Sequence, residues 1–232
     1  LGAIQWDGGT VTTLGEDNGA PAIREELGVV LDEACLPTYL NAGQIGRVLG
    51  GIYRNWDQAL YQSYLKRFEL PEKKLFHQFS RGMKMKLGIA AALSHHPRLL
   101  ILDEATSGLD PVVRDEILDL FLDFTRSEDH SILVSSHIVS DLEKLCDYIA
   151  YLHHGKLLFC EEKDALLERY ALLKGSMEDL KCLDKSAVAA YRVHAYGVEA
   201  LVEREKVPAG LTLDRVTIED IIVFQARGER LS

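Results

Sequence analysis

The 232-residue chain has little of what a zinc site, a disulfide framework or a membrane span requires. Its four cysteines, Cys35, Cys146, Cys160 and Cys182, are scattered and form no CxxC pair. That spacing argues against structural zinc and disulfides and suits a reducing compartment. No apolar run approaches the roughly 18 residues that cross a bilayer. No charged-then-apolar leader opens the chain, so a membrane role is expected to need a separate partner. Positive charge is also short. Lys and Arg number 26 against 36 Asp and Glu, a net charge of −10. Such a chain is a poor candidate for unspecific binding to nucleic acid or anionic lipid. A local phosphate site does not depend on that global balance.

What is present is an ordinary globular mixture, 47% apolar and 27% charged, enough for one large domain or a domain with an appendage. Residues 3–14 read as a hairpin around Asp7-Gly8-Gly9. Gly28–Leu31 is a short apolar strand that ends in Asp32-Glu33. Helices are expected over 41–53 and 57–68, with Ile45, Val48, Leu49 and Ile52 on one face of the first. Ser80–Ser94 reads as a helix, Leu99–Leu102 as a buried strand and Pro111–Arg126 as an amphipathic helix. Ile132–Val134 is a second buried strand, closed by Ser135-Ser136-His137. A helix over 139–146 precedes a hairpin that turns at His154-Gly155. Alternating strands and helices predict an α/β fold, a parallel sheet with helices on both faces. Near Lys174 the pattern changes to short segments, Val188–Tyr196 and Val198–Arg204, then a helix from Ile218 to Ala226. Thr217 and Asp220 have the spacing of a capping box at its start. The expected domains are 1–173, with a helical part over about 34–95, and a small α+β extension over 174–232.

The chemistry concentrates in Leu99–Pro111, LLILDEATSGLDP. A buried strand runs straight into Asp103 and Glu104. Unpaired carboxylates at the end of a core strand are costly to desolvate, and a divalent cation with a polyanionic ligand would compensate. One acid could then hold Mg²⁺ while the other polarises an attacking water. Solvated acids at a strand end are the plainer reading. Upstream, Ser80-Arg81-Gly82-Met83 opens a helix whose free N–H groups favour phosphate, with Arg81, Lys84 and Lys86 adding positive charge. An ordinary capped helix would look the same. In Ser107-Gly108-Leu109-Asp110-Pro111 the last two residues fit an N-cap and a first helical position. His137 reads either as a surface residue or as a donor to a terminal phosphate.

The order of these pieces, SRGM, helix, LLILDEATSGLD, helix, ILVSSH, closely resembles the ATP-binding cassette (ABC) ATPases over residues 1 to about 170. The resemblance implies a P-loop NTPase core of ABC type with an antiparallel β subdomain and a helical subdomain. It implies ATP and Mg²⁺ as ligands. By motif, Ser80, Arg81, Gly82 and Met83 would form the signature that meets nucleotide. Asp103 would coordinate Mg²⁺, Glu104 would activate water, and His137 would sense the terminal phosphate. Ser107, Gly108 and Asp110 would be the D-loop linking two sites of a head-to-tail homodimer or paired cassette. Asp32 stands at the Q-loop position, where it would couple nucleotide to a membrane-spanning permease. The resemblance thus implies an ATP-hydrolysing subunit at the cytoplasmic face of a membrane, and no nucleic-acid partner. The tail, YGVEALVERE and LTLDRVTIEDIIVFQARGE, resembles bacterial exporters of drugs, peptides or lipid-like substrates. Tyr39, Ile45, Val48, Leu49, Ile52, Tyr53 and Trp56 are either core or the groove that receives the permease.

The sequence departs from the family in four places. Arg81 and Met83 replace a Gly and a Gln of the usual signature, Ala105 replaces a Pro, and Asp32 replaces a Gln. The fourth is an absence: none of the 232 residues forms GxxxxGK[ST], the loop that cradles phosphates. The resemblance is therefore to a cassette lacking its Walker A segment, and these residues alone are expected to bind ATP poorly. Two other readings compete: a non-transport ABC ATPase, or a non-catalytic cassette fragment acting as a binding or regulatory module.

Overall fold

A computed structural model of the protein describes residues 7–17, 20–32, 36–195 and 197–229. Two compact units divide between Ile138 and Val139. The first opens with β1 (Thr12–Thr13) and β2 (Glu16–Asp17), an antiparallel pair that turns at Leu14-Gly15. Gly15, at φ +83°, takes the left-handed conformation there, and Gly9, in the expected Asp7-Gly8-Gly9 turn, takes it too at φ +92°. The part of that expected hairpin over residues 3–6 lies outside the described residues.

Next come β3 (Leu27–Val30), α1 (Ala42–Gly50), α2 (Gln58–Arg67), α3 (Arg81–Leu93), β4 (Leu99–Asp103), α4 (Pro111–Phe124) and β5 (Ser131–Ser135). Each helix starts where the sequence supplies a cap. Asn41 and Gln44 form a reciprocal capping box on α1. Asp57, Ser80 and Asp110 accept from the first turns of α2, α3 and α4. The strands form one parallel sheet in the order β3-β4-β5, with Val30 beside Leu102 and Asp103 beside Ser135. Leu100 and Leu102 are buried in its core.

The helix α3 presses on β3 because residue 28 is glycine. A Cβ there would stand 2.8 Å from the Ala92 carbonyl oxygen and 2.5 Å from Leu100 Cδ2. Leu133, on the opposite face from Leu100 and Leu102, is 63% exposed.

Beside the sheet, α1 packs on α2 through Tyr61, which is fully buried and donates its hydroxyl to the Ala42 carbonyl at 2.9 Å. The stripe expected on the first helix divides. Ile45 is core, whereas Tyr39, Val48 and Ile52 are exposed. Tyr53 stacks on His95 with ring centres 4.0 Å apart, and Trp56 leans on Tyr61 at 5.1 Å.

The second unit contains α5 (Val139–Leu145), β6 (Tyr148–His153), β7 (Lys156–Glu162), α6 (Lys163–Arg169), β8 (Tyr170–Gly175), α7 (Met177–Lys181), β9 (Val188–His194), β10 (Gly197–Glu203), β11 (Leu213–Asp214) and α8 (Ile218–Arg227). The hairpin β6–β7 turns at His154-Gly155, both at positive φ, as a two-residue hairpin loop requires. The strands β11-β8-β10-β9 form an antiparallel sheet buried on both sides. Leu172 and Leu201 meet Ile218, Ile221 and Phe224 of α8 on one face. Leu173, Ala200 and Val202 meet Leu180 of α7 on the other. The capping box of Thr217 and Asp220 is formed. The sequence boundary at 173/174 falls inside β8, where Leu173 pairs with Ala200 and Lys174 with Glu199.

Gly46 is the tightest helix–helix point in the first unit: a Cβ would lie 2.5 Å from the Tyr61 ring, which has nowhere to move. Gly46→Ala is expected to lower the unfolding free energy by about 1–3 kcal/mol, read from urea denaturation. An unchanged midpoint would show that α1 and α2 do not pack this closely.

Candidate active site

The parallel register builds the site. Because Asp103 sits beside Ser135 on the neighbouring strand, the Ser135 hydroxyl donates to Asp103 Oδ1 at 2.5 Å. One residue further on, Glu104 N–H donates to the Ser135 carbonyl at 3.0 Å, so the strand pairing extends to the second acid. There the chain turns. Glu104 has φ +52°, uncommon for a residue with a Cβ. The turn is held by Ser107 N–H on the Glu104 carbonyl at 3.0 Å and by the burial of Ala105 and Thr106. Successive strand residues face opposite ways. The left-handed turn lets Glu104 escape that alternation, and its Oε2 meets His137 Nδ1 at 2.6 Å. Glu104 is partly shielded and His137 is open to solvent.

A second convergence lies on Arg81, the first residue of α3. Its guanidinium bonds the Asp32 carboxylate and reaches Ser107 Oγ at 3.5 Å. It also lies over Gly108, where a Cβ would come within 3.2 Å of Nη1. Gly108, at φ +72°, gives both the turn and that room. One side chain thus joins the end of β3, the start of α3 and the turn after β4. Ser80 caps α3 by accepting from Met83 N–H at 3.3 Å, Gly82 abuts Leu109, and Asp110 caps α4 through Val113 N–H at 3.1 Å.

The structure therefore gathers the sequence-read residues into two groups, Asp103–Glu104–His137 and Asp32–Arg81–Ser107–Gly108. Sequence reading missed two partnerships. Ser135 reads as a strand end in the sequence, and the register of the two parallel strands sets it beside Asp103. The Arg81–Asp32 pair joins residues 49 apart and leaves no local signal.

Asp103 offers one carboxylate to a cation, with one oxygen engaged by Ser135. No group of three or more His, Cys, Asp or Glu side chains that could hold a metal occurs among the described residues. A single acid fits Mg²⁺, which keeps several waters and binds through one or two carboxylates plus substrate phosphates.

Known proteins resemble this chain in sequence and fold. The sequence profile of the ABC transporter family matches residues 1–107. The chain is 34% identical over 127 residues to the ABC transporter ATP-binding protein YtrB of Bacillus subtilis, covering 55% of this chain and 44% of that protein. It is 50% identical over 86 residues to the bacitracin transport ATP-binding protein BcrA of Bacillus licheniformis, covering 37% and 28%. It is 45% identical over 93 residues to the lantibiotic transport ATP-binding protein SrtF of Streptococcus pyogenes, covering 40% of each. A solved ATP-binding subunit of an ABC transporter shares the fold, with a TM-score of 0.61 and 25% identity over 69% of each chain. The chain is thus similar to ABC transporter ATP-binding proteins, and its α/β fold is that of their solved nucleotide-binding subunits. It spans less than half the length of these three curated relatives.

Both partners of the Arg81–Asp32 pair are about half exposed, and exposed pairs contribute little. In a double-mutant cycle on Arg81→Ala and Asp32→Ala, the coupling is expected to be below about 1 kcal/mol, measured by chemical denaturation. A larger value would mean that the pair holds the fold and is not merely poised at the site.

Proposed function

We propose that this chain is the ATP-hydrolysing part of a transporter that exports drug-like or peptide substrates, in the manner the names of the bacitracin and lantibiotic relatives suggest. The observation that carries the hydrolytic reading is the 2.6 Å contact between Glu104 and His137 at the end of a strand that also ends in Asp103. Asp103 would hold Mg²⁺ through the carboxylate oxygen that Ser135 leaves free. The ion, when bound, neutralises phosphate charge. Glu104 would take the proton of the attacking water on Oε1, as general base. His137 would donate from Nδ1 to Oε2, fixing the carboxylate, and present Nε2 to solvent where a terminal phosphate would arrive.

The signature residues Ser80, Arg81, Gly82 and Met83 would meet the nucleotide held by a second cassette, with Ser107, Gly108 and Asp110 relaying between the two. This reading puts the protein at the cytoplasmic face of a membrane, bound to a permease subunit. The absence of any helix long and apolar enough to cross a membrane among the described residues is consistent with such a separate partner.

In the full-length gene product, assayed with its permease, Glu104→Gln is expected to lower ATP turnover by about 10²–10⁴-fold while nucleotide binding persists. His137→Ala should lower turnover too, without loss of binding. Unchanged turnover in Glu104→Gln would remove Glu104 from the role of base.

A further inference from the structure

Arg81 uses only part of what its guanidinium offers. The group carries five N–H donors. The two bonds it makes, to Asp32 Oδ1 and to Ser107 Oγ at 3.5 Å, both leave from Nη2. Among the described residues, Nη1 and Nε meet no acceptor. The Arg81 side chain is 54% exposed, so the group can be reached from solvent. Gly108 leaves it uncovered: a Cβ there would stand 3.2 Å from Nη1 and 3.4 Å from Cζ.

An Arg–carboxylate pair is strongest as two parallel N–H···O bonds, and an Arg–phosphate pair takes the same two-pronged form. Arg81 and Asp32 make only a single-pronged contact. Exposed ion pairs add little to stability, so the fold has little to lose when this one opens. A phosphate carries more charge than a carboxylate and has three acceptor oxygens, enough to take both prongs of the fork. Asp32 is thus a weak anionic partner held at a group shaped for a stronger one. It stands two residues beyond the end of β3, whereas Arg81 opens α3.

We propose that Asp32 is a built-in competitor for Arg81: the guanidinium rests on the Asp32 carboxylate and exchanges it for the terminal phosphate of the nucleotide that a second cassette presents. Two effects of opposite sign then set the affinity, the bond that Arg81 gains to phosphate and the bond that it gives up to Asp32. The exchange also unties the segment after β3 from the start of α3 as phosphate arrives. It rests on the reading of the chain as one of two paired ATP-binding cassettes, and it makes their closure the event that Asp32 opposes.

The test uses the full-length gene product in a Glu104→Gln background, where ATP is expected to bind without being consumed. ATP is titrated, and the dimer is read by analytical ultracentrifugation. Asp32→Asn, which keeps the shape and removes the charge, is expected to lower the half-maximal ATP concentration about 1.5- to 5-fold, the worth of an exposed ion pair. Arg81→Gln should raise it about 10- to 150-fold, the worth of a hydrogen bond to a charged group. With Arg81→Gln already present, Asp32→Asn should change nothing, because no guanidinium remains to be released. In a protein that dimerises with ATP, three results would overturn the exchange alone: Asp32→Asn failing to lower the ATP requirement, Arg81→Gln leaving it unchanged, or Asp32→Asn acting equally with and without Arg81. Association that does not respond to ATP at all would overturn the paired-cassette reading, and the exchange with it.

Discussion

The parallel pairing of β4 with β5 is the constraint on which the site depends. It aligns Asp103 with Ser135 and carries the ladder one residue further, to Glu104. That last backbone bond, with the Ser107 N–H on the Glu104 carbonyl, opposes the steric cost of the left-handed turn at Glu104. With it, two adjacent acids that a regular strand would send to opposite faces are presented in one region, one toward a hydroxyl and the other toward an imidazole. The short segment Ser135-Ser136-His137 supplies both partners. Geometry at one strand end thus separates the acids into different environments before any ligand arrives.

The helices are ordered by local means. Most of those with an assigned cap begin at a side chain that satisfies an orphan N–H of the first turn, and on α1, α7 and α8 the satisfaction is reciprocal. This is why so much of the fold was legible in the sequence. Caps, helical spacing and short apolar runs are signals within ten or fifteen residues, and they located β3, α3, β4, α4, β5, the His154-Gly155 hairpin and α8 closely. The order SRGM, LLILDEATSGLD, ILVSSH carried the family for the same reason.

What was not legible depends on contacts distant in sequence. The exposure of Leu133 depends on which elements cover that face of the sheet, which no residue spells out. The division of the α1 stripe into buried Ile45 and exposed Val48 and Ile52 depends on where Tyr61 of another helix inserts. The partnership of Arg81 with Asp32 spans 49 residues, and nothing local to either residue points to the other. His95 is an unremarkable residue in a His-His-Pro run until the fold buries it beneath Tyr53.

The Arg81 tether has a property that its neighbours lack. Three chain segments meet on one guanidinium, yet both charges of its ion pair stand in solvent. Its strength therefore falls as the surrounding electrolyte becomes more concentrated, because mobile ions screen exposed charges. The hydroxyl and carboxylate at Ser135 and Asp103 are positioned by a backbone ladder and do not share that dependence. The first unit thus combines a part whose shape is insensitive to salt and a part whose grip loosens as the medium becomes more ionic.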